Sequence, residues 1–254
     1  MIGAFGEDRG RFANAFEPSA SWDGSVWRWL RWSYGFSAWR EDATREAGRV
    51  VSLVEAFDGR VARALESLLD LAQSPAVDLP VLGFAYDHPD AWRVKLYLVF
   101  HRDAGEGAWA IAARALGFDE APEPTGVLHM VGADLGPGGH LGGRLYERAP
   151  EGWRLDRVGA GPLGRRALPG ALLVRRLPAA PRRGALPPPR DAHIPLEDAE
   201  LPQSALPEAP LLAAALRAAP EQAPWTPPQA AVRWLAVPLS GAVPVTVYYV
   251  LRAP

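Results

Sequence analysis

Between Val81 and Phe100, two apolar-rich runs, VLGFAY and WRVKLYLVF, flank the polar turn DHPD, a pattern that predicts a β-hairpin. Strand side chains alternate faces, so Arg93, Lys95, Tyr97 and Val99 share one side of the second run, while Val94, Leu96, Leu98 and Phe100 share the other. The same signal recurs along the chain. SWDGSVWRWLRWSYGF (21–36), with Asp23-Gly24 as its turn, reads as the second half of a hairpin beginning near Phe12. VLHMVGADL (127–135) and GRLYER (143–148), separated by GPGGHLG, predict a third hairpin, and 231–252 a closing one that turns at Ser240-Gly241. WRLDRVGAGPLGRRALPGALLVRRL (153–177) reads as a degenerate hairpin.

Between the first two hairpins the period changes. From Ser37 to Gln73, Val50, Val51, Val54, Phe57, Val61, Leu65, Leu68 and Leu69 recur at three and four residues, which predicts one amphipathic helix or a pair broken near Asp58-Gly59. Asp103 and Glu106 stand at capping-box spacing ahead of AWAIAARALG, so a further helix is expected there. Residues 178–228 are proline-rich, with only 210–219 as a short helix candidate. They read as an extended excursion that wraps the domain or moves freely.

Composition narrows the class. A chain of 254 residues with 48% hydrophobic content can bury a sizeable core, and residues 1–254 are expected to form a single domain. The net charge of −2 gives no footprint for nucleic acid. There is no cysteine, which removes disulfides, thiolate metal sites and cysteine nucleophiles. The longest apolar runs are too short to span a bilayer and the first residues carry no signal-peptide pattern, so the expected setting is a bacterial cytoplasm without membrane insertion. The five histidines show no i, i+4 pair for zinc, GPGGHLGG lacks the lysine of a P-loop, and Asp87 and Asp90 are a lone pair in a turn.

One count stands out: Lys95 is the only lysine among 27 basic residues. Coding bias toward arginine accounts for the number. It does not account for the neighbours. Lys95-Leu96-Tyr97 lies over Arg144-Leu145-Tyr146 and Thr246-Val247-Tyr248, and Ala85-Tyr86-Asp87 over Gly132-Ala133-Asp134, where the aspartate is expected to end its strand at the turn. A polar face of cations and phenols repeated over successive hairpins would line a common interior if the sheet closed on itself.

Hairpins of this kind, alternating with helical pairs, resemble the ABBA-type aromatic prenyltransferases, the family of dimethylallyltryptophan synthases and cyanobactin peptide prenyltransferases. The family's Arg, spacer, Lys, spacer, Tyr signature is matched at Arg93, Lys95 and Tyr97. It is matched in part at Arg144 and Tyr146, where Gly142 replaces the first cation. The resemblance implies an α/β fold: an antiparallel β-barrel of repeated α-α-β-β units, the PT barrel, with helices outside. The fourth unit is expected to be incomplete or degenerate. It further implies that Arg28, Arg93, Lys95 and Arg144 grip an allylic diphosphate such as dimethylallyl or geranyl diphosphate, that Tyr97, Tyr146 and Tyr248 form the tyrosine shield, and that Glu17 acts as base. The implied activity is prenyl transfer to an aromatic small molecule or peptide side chain, in secondary metabolism. No cofactor is required; Mg2+ is compatible, although no aspartate-rich motif is present. The alternative is a non-catalytic barrel of the same ancestry that binds a lipophilic or anionic ligand or a partner protein. Trp27, Trp29, Trp92 and Trp234 lie on or beside the expected strands, where some could stack on an aromatic acceptor.

Overall fold

The computed structural model describes residues 16–22, 27–35, 41–56, 58–86, 92–118, 121–137, 139–155, 168, 170–178, 186–195, 230–239 and 245–251. Ten strands form one closed antiparallel barrel. They are β1 (Phe16–Trp22), β2 (Trp27–Gly35), β3 (Val77–Tyr86), β4 (Trp92–Phe100), β5 (Leu128–Gly136), β6 (Gly139–Arg148), β7 (Leu172–Pro178), β8 (Asp191–Pro195), β9 (Ala230–Pro238) and β10 (Val245–Leu251). Each pairs with its sequence neighbours, and β1 closes the ring against β10 with Ser19 opposite Tyr248. Closure leaves no strand edge unpaired. The ring closes, so of the two alternatives for the fourth unit, incomplete or degenerate, the structure bears out the second. The fourth unit is degenerate: β8 has five residues, and no helix lies between β6 and β7 among the described residues.

Three helices are described, α1 (Ala43–Glu55), α2 (Gly59–Ala72) and α3 (Gly105–Leu116). The pair predicted to break near Asp58-Gly59 does so because Asp58 caps α2, its carboxylate accepting from the amides of Arg60 and Val61 at 2.8 and 3.2 Å. Asp42 does the same for α1 through the amide of Arg45 at 3.0 Å. Such a cap is worth about 1 kcal/mol. The capping box expected at Asp103 and Glu106 is not formed. The cap position falls on Ala104, which makes no side-chain capping bond, and Asp103 lies one residue outside it.

The helices bury one stripe each against the outer face of the barrel. Val50, Val54, Val61, Leu65, Leu69, Trp109 and Leu116 form one cluster with Val94, Leu96, Leu98 and Phe100 of β4 and Val131, Leu135 and Leu145 beyond it. The greasy faces of β3, β4, β5 and β6 thus point outward into the helices, and the opposite face is left to the lumen. Gly143 makes that packing close: a Cβ there would lie 2.1 Å from Leu116 Cδ2 and 2.6 Å from the carbonyl oxygen of Gly132. GPGGHLG was expected to be loop throughout, yet Gly139–Gly142 already belong to β6. Glycine serves close approach at Gly143, and Pro137 stands in the turn.

The hairpin expected within 153–177 is displaced. Its first strand is β7, and its second is β8, inside the segment read as an excursion. Proline content hid a strand so short that Pro187–Pro189 and Pro195 bracket it. The helix candidate 210–219 and the turns at Asp23-Gly24, 87–90 and Ser240-Gly241 lie outside the described residues.

Candidate functional site

Alternation places Arg93, Lys95 and Tyr97 on the lumen face of β4, and register carries that face around the wall. Lys95 stands opposite Asp134, Tyr97 opposite Gly132, Gly132 opposite Arg144, and Arg144 opposite Arg176. Lys95 is 4% exposed. A buried ammonium requires a counter-charge, and Asp134 supplies it. Its Oδ1 lies 3.6 Å from Lys95 Nζ, and its Oδ2 lies 3.6 Å from Arg144 Nη2. One carboxylate is thus shared by two cations at separations slightly beyond hydrogen-bonding length, and its Oδ1 has no hydrogen-bond partner among the described residues. Asp134 does not end its strand at the turn, as the repeat implied. It sits within β5 and faces the lumen.

Beside the cations runs a series of rings. Tyr97 meets Tyr146 edge-on with centroids 6.0 Å apart, Tyr146 meets His193 edge-on at 5.2 Å, and His193 meets Tyr248 tilted at 5.5 Å. Gly132 makes room for the first of these, because a Cβ there would lie 2.8 Å from the Tyr97 ring. Burial raises the pKa of both Tyr97 and Tyr146, so each phenol keeps its proton and stays a hydrogen-bond donor. For Arg144 burial alone would favour loss of charge. Tyr146 and Asp134 beside it outweigh that, and its pKa lies above the ordinary value. His193 is neutral, with a pKa lowered to about 3, first by burial and then by the charges of Arg144, Arg176 and Lys95.

Lys95, Tyr97, Arg144, Tyr146 and Tyr248, named from the sequence on three separate hairpins, therefore meet in one lumen. Arg93 is half-buried on the same face. Thr246, two residues before Tyr248, is buried on that wall too. Glu17 and Arg28 are placed only by their backbone, opposite Ser33 and Ser21 in β1 and β2; their side chains lie outside the described residues. The same holds for Trp27 and Trp29, whereas Trp234 packs on the cluster of Tyr146, Leu172 and Val174.

Sequence reasoning missed Asp134 as a site residue, and with it Arg176, Asp191 and His193. Arg176 Nε donates to Asp191 Oδ2 at 2.7 Å, and Asp191 and His193 share a face of β8. The signal was present in DAHIP, where Ala192 and Ile194 alternate with polar residues, but the surrounding prolines masked it. Among the described residues no group of three His, Asp or Glu side chains is placed to hold a metal ion, and no helix is long and apolar enough to cross a membrane.

No protein-family model matches the sequence, and no curated protein matches it. Solved structures do. The chain is similar to the prenyltransferase PriB in its binary complex with product diphosphate, at a TM-score of 0.61 and 17% identity over 94% of this chain and 82% of that one. It is similar to 5-dimethylallyltryptophan synthase from Streptomyces coelicolor at a TM-score of 0.54 and 17% identity, over 92% and 80% of the two chains. A 6-dimethylallyltryptophan synthase from Micromonospora olivasterospora, in complex with DMASPP and Trp, superposes at 0.50 with 18% identity over 94% and 84%. At these identities the likeness is one of fold.

Proposed function

We propose that this barrel, which has the fold of the aromatic prenyltransferases, transfers a prenyl group from an allylic diphosphate to an aromatic small molecule or a peptide side chain. The observation that carries this reading is the pair Lys95 and Arg144, each 3.6 Å from one shared carboxylate and flanked by Tyr97, Tyr146 and Tyr248 inside a closed barrel. Ionisation of an allylic diphosphate places negative charge on the leaving group and positive charge on carbon. Fixed cations stabilise the first, most effectively where water is excluded. Ring faces stabilise the second. Lys95 and Arg144, with Arg93 and Arg28 as further ligands, would take the diphosphate; the three tyrosines would screen the cation; and Glu17 would receive a proton from the alkylated ring. The two neighbours whose solved complexes hold product diphosphate, or DMASPP with tryptophan, agree with this pairing of ligands.

The protein's own cations supply the positive charge that a bound Mg2+ would bring, so turnover in excess EDTA should persist. The direct test is incubation with dimethylallyl or geranyl diphosphate and a panel of indoles, phenols and Tyr- or Trp-containing peptides. Products heavier by one prenyl group are expected. Diphosphate binding without any product would make the barrel a binding module instead.

A further inference from the structure

His193 is a lumen residue that the reading above leaves without a task, and its surroundings give it one. The imidazole sits between two phenol rings, 5.2 Å from that of Tyr146 and 5.5 Å from that of Tyr248, at the junction of the cation cluster with the aromatic wall. The charged and titratable groups facing it come from several strands: Lys95, Arg93 and Tyr97 from β4, Asp134 from β5, Arg144 and Tyr146 from β6, Arg176 from β7, Asp191 from β8 and Tyr248 from β10. Arg148, further along β6, is turned to His129 at 3.1 Å. β9 contributes the uncharged Trp234 and Ala236, and the side chains of Glu17, Arg28 and Arg31 on β1 and β2 lie outside the described residues.

We propose that His193 is a proton acceptor of this lumen, switched on by an anion bound to Lys95, Arg144 and Arg176. The proposal rests on the diphosphate reading of the site. With no anion bound, burial and then the three cations hold the imidazole neutral and weakly basic. A diphosphate brings several negative charges to the same three cations, reverses the local potential and favours the imidazolium. The base is then armed only when the leaving group is in place. In the transfer step the C1–O bond of the allylic diphosphate breaks and its electron pair stays on oxygen. The acceptor ring carbon bonds to C1. The proton on that carbon passes to an imidazole nitrogen as its C–H pair restores the aromatic ring, so His193 takes the part that the resemblance gives to Glu17. The imidazolium then gives the proton to the departing diphosphate, which returns His193 to neutrality.

The experiment is an NMR pH titration of protein labelled at histidine Cε1, with and without inorganic pyrophosphate. The His193 signal is identified by its absence from His193→Gln. Pyrophosphate should raise the His193 midpoint by at least one pH unit, a tenfold change in basicity, while Glu17→Gln leaves that response unmoved. A bound pyrophosphate that leaves the midpoint in place overturns the role of His193 and spares the diphosphate site. Failure of pyrophosphate to bind at millimolar concentration overturns both. Turnover gives the second readout, with dimethylallyl diphosphate and the preferred indole or phenol. His193→Gln should cut transfer at least tenfold while pyrophosphate release by hydrolysis changes less than threefold. Unchanged transfer, or equal loss of both, overturns the proposal.

Discussion

Hairpin β5–β6 buries two carboxylates, Asp134 and Glu147, and partners them in opposite ways. Glu147, 4% exposed and on the outer face, accepts from Thr125 at 2.5 Å and pairs tightly with the Arg175 guanidinium, which also donates to the Pro187 carbonyl at 2.6 Å. Asp134, 8% exposed and on the lumen face, holds two cations at 3.6 Å each and leaves one oxygen without a hydrogen bond among the described residues. A buried pair that is fully bonded fixes the wall. A buried pair held at longer range constrains its partners less tightly. The outer pair belongs to the fold, and the inner one is where the proposed function seats its diphosphate.

Substitutions should separate the two. The largest effect is expected from Glu147→Ala, which strands Arg175 beneath the surface and should cost about 3–5 kcal/mol of stability. Chemical denaturation measures that loss, and pyrophosphate affinity of the folded fraction should be unchanged. Lys95→Ala should do the reverse. It removes a charge-assisted contact worth about 1.5–3 kcal/mol, so pyrophosphate affinity by calorimetry should fall roughly ten- to a hundred-fold with little loss of stability. Lys95→Arg keeps the charge but replaces a compact ammonium with a planar fork beside Tyr97, and should also lower activity. A fully active Lys95→Arg protein would return the lone lysine to coding bias.

Acid provides the next contrast. His193 is neutral in the fold, with its pKa lowered to about 3 from an ordinary 6.5. Its contribution is therefore present above pH 6.5 and is lost as pH falls toward 3, because the unfolded chain binds the proton first. Between pH 6.5 and 5 the loss should be about 2 kcal/mol, and His193→Gln should flatten that limb of the stability curve. His129, lowered to about 4 by burial and by Arg148, acts in the same direction and should survive as a residual slope. The smallest effect is expected from Asp134→Asn. Freed of their shared counter-charge, Lys95 and Arg144 should bind pyrophosphate a few-fold more tightly, by about 1 kcal/mol, while their mutual repulsion lowers the melting temperature. Weaker binding would mean that Asp134 positions the cations more than it neutralises them.

Much of this wall was legible in the sequence because strand period is a strong local signal. Arg93, Lys95 and Tyr97 could be assigned to one face from alternation alone, and the tyrosines at 146 and 248 followed from the repeat. The residues that escaped did so for nameable reasons. Asp134 was taken for a turn residue, since aspartate near glycine usually is one; only the pairing of β4 with β5 shows that it lies opposite Lys95. Gly139 and Gly142 read as loop because glycine signals turns, whereas the approach of Leu116 to Gly143 is a tertiary fact. β8 was lost in proline-rich composition, and with it His193. The face of Arg176 depends on which strand β7 joins, which no local pattern supplies.

Pairing of β1 with β10 has a kinetic consequence. Lys95, Asp134 and Arg144 lie on three successive strands joined by short-range contacts, so this cluster can assemble as β4, β5 and β6 fold on α2 and α3. Tyr248 takes its place beside Ser19 only when strands far apart in sequence meet, a closure with a large entropic cost that topology places late. During refolding the chain should regain its grip on an anion before it can shut water out. In a stopped-flow experiment pyrophosphate should then accelerate the early phase and leave the rate of final ring closure unchanged.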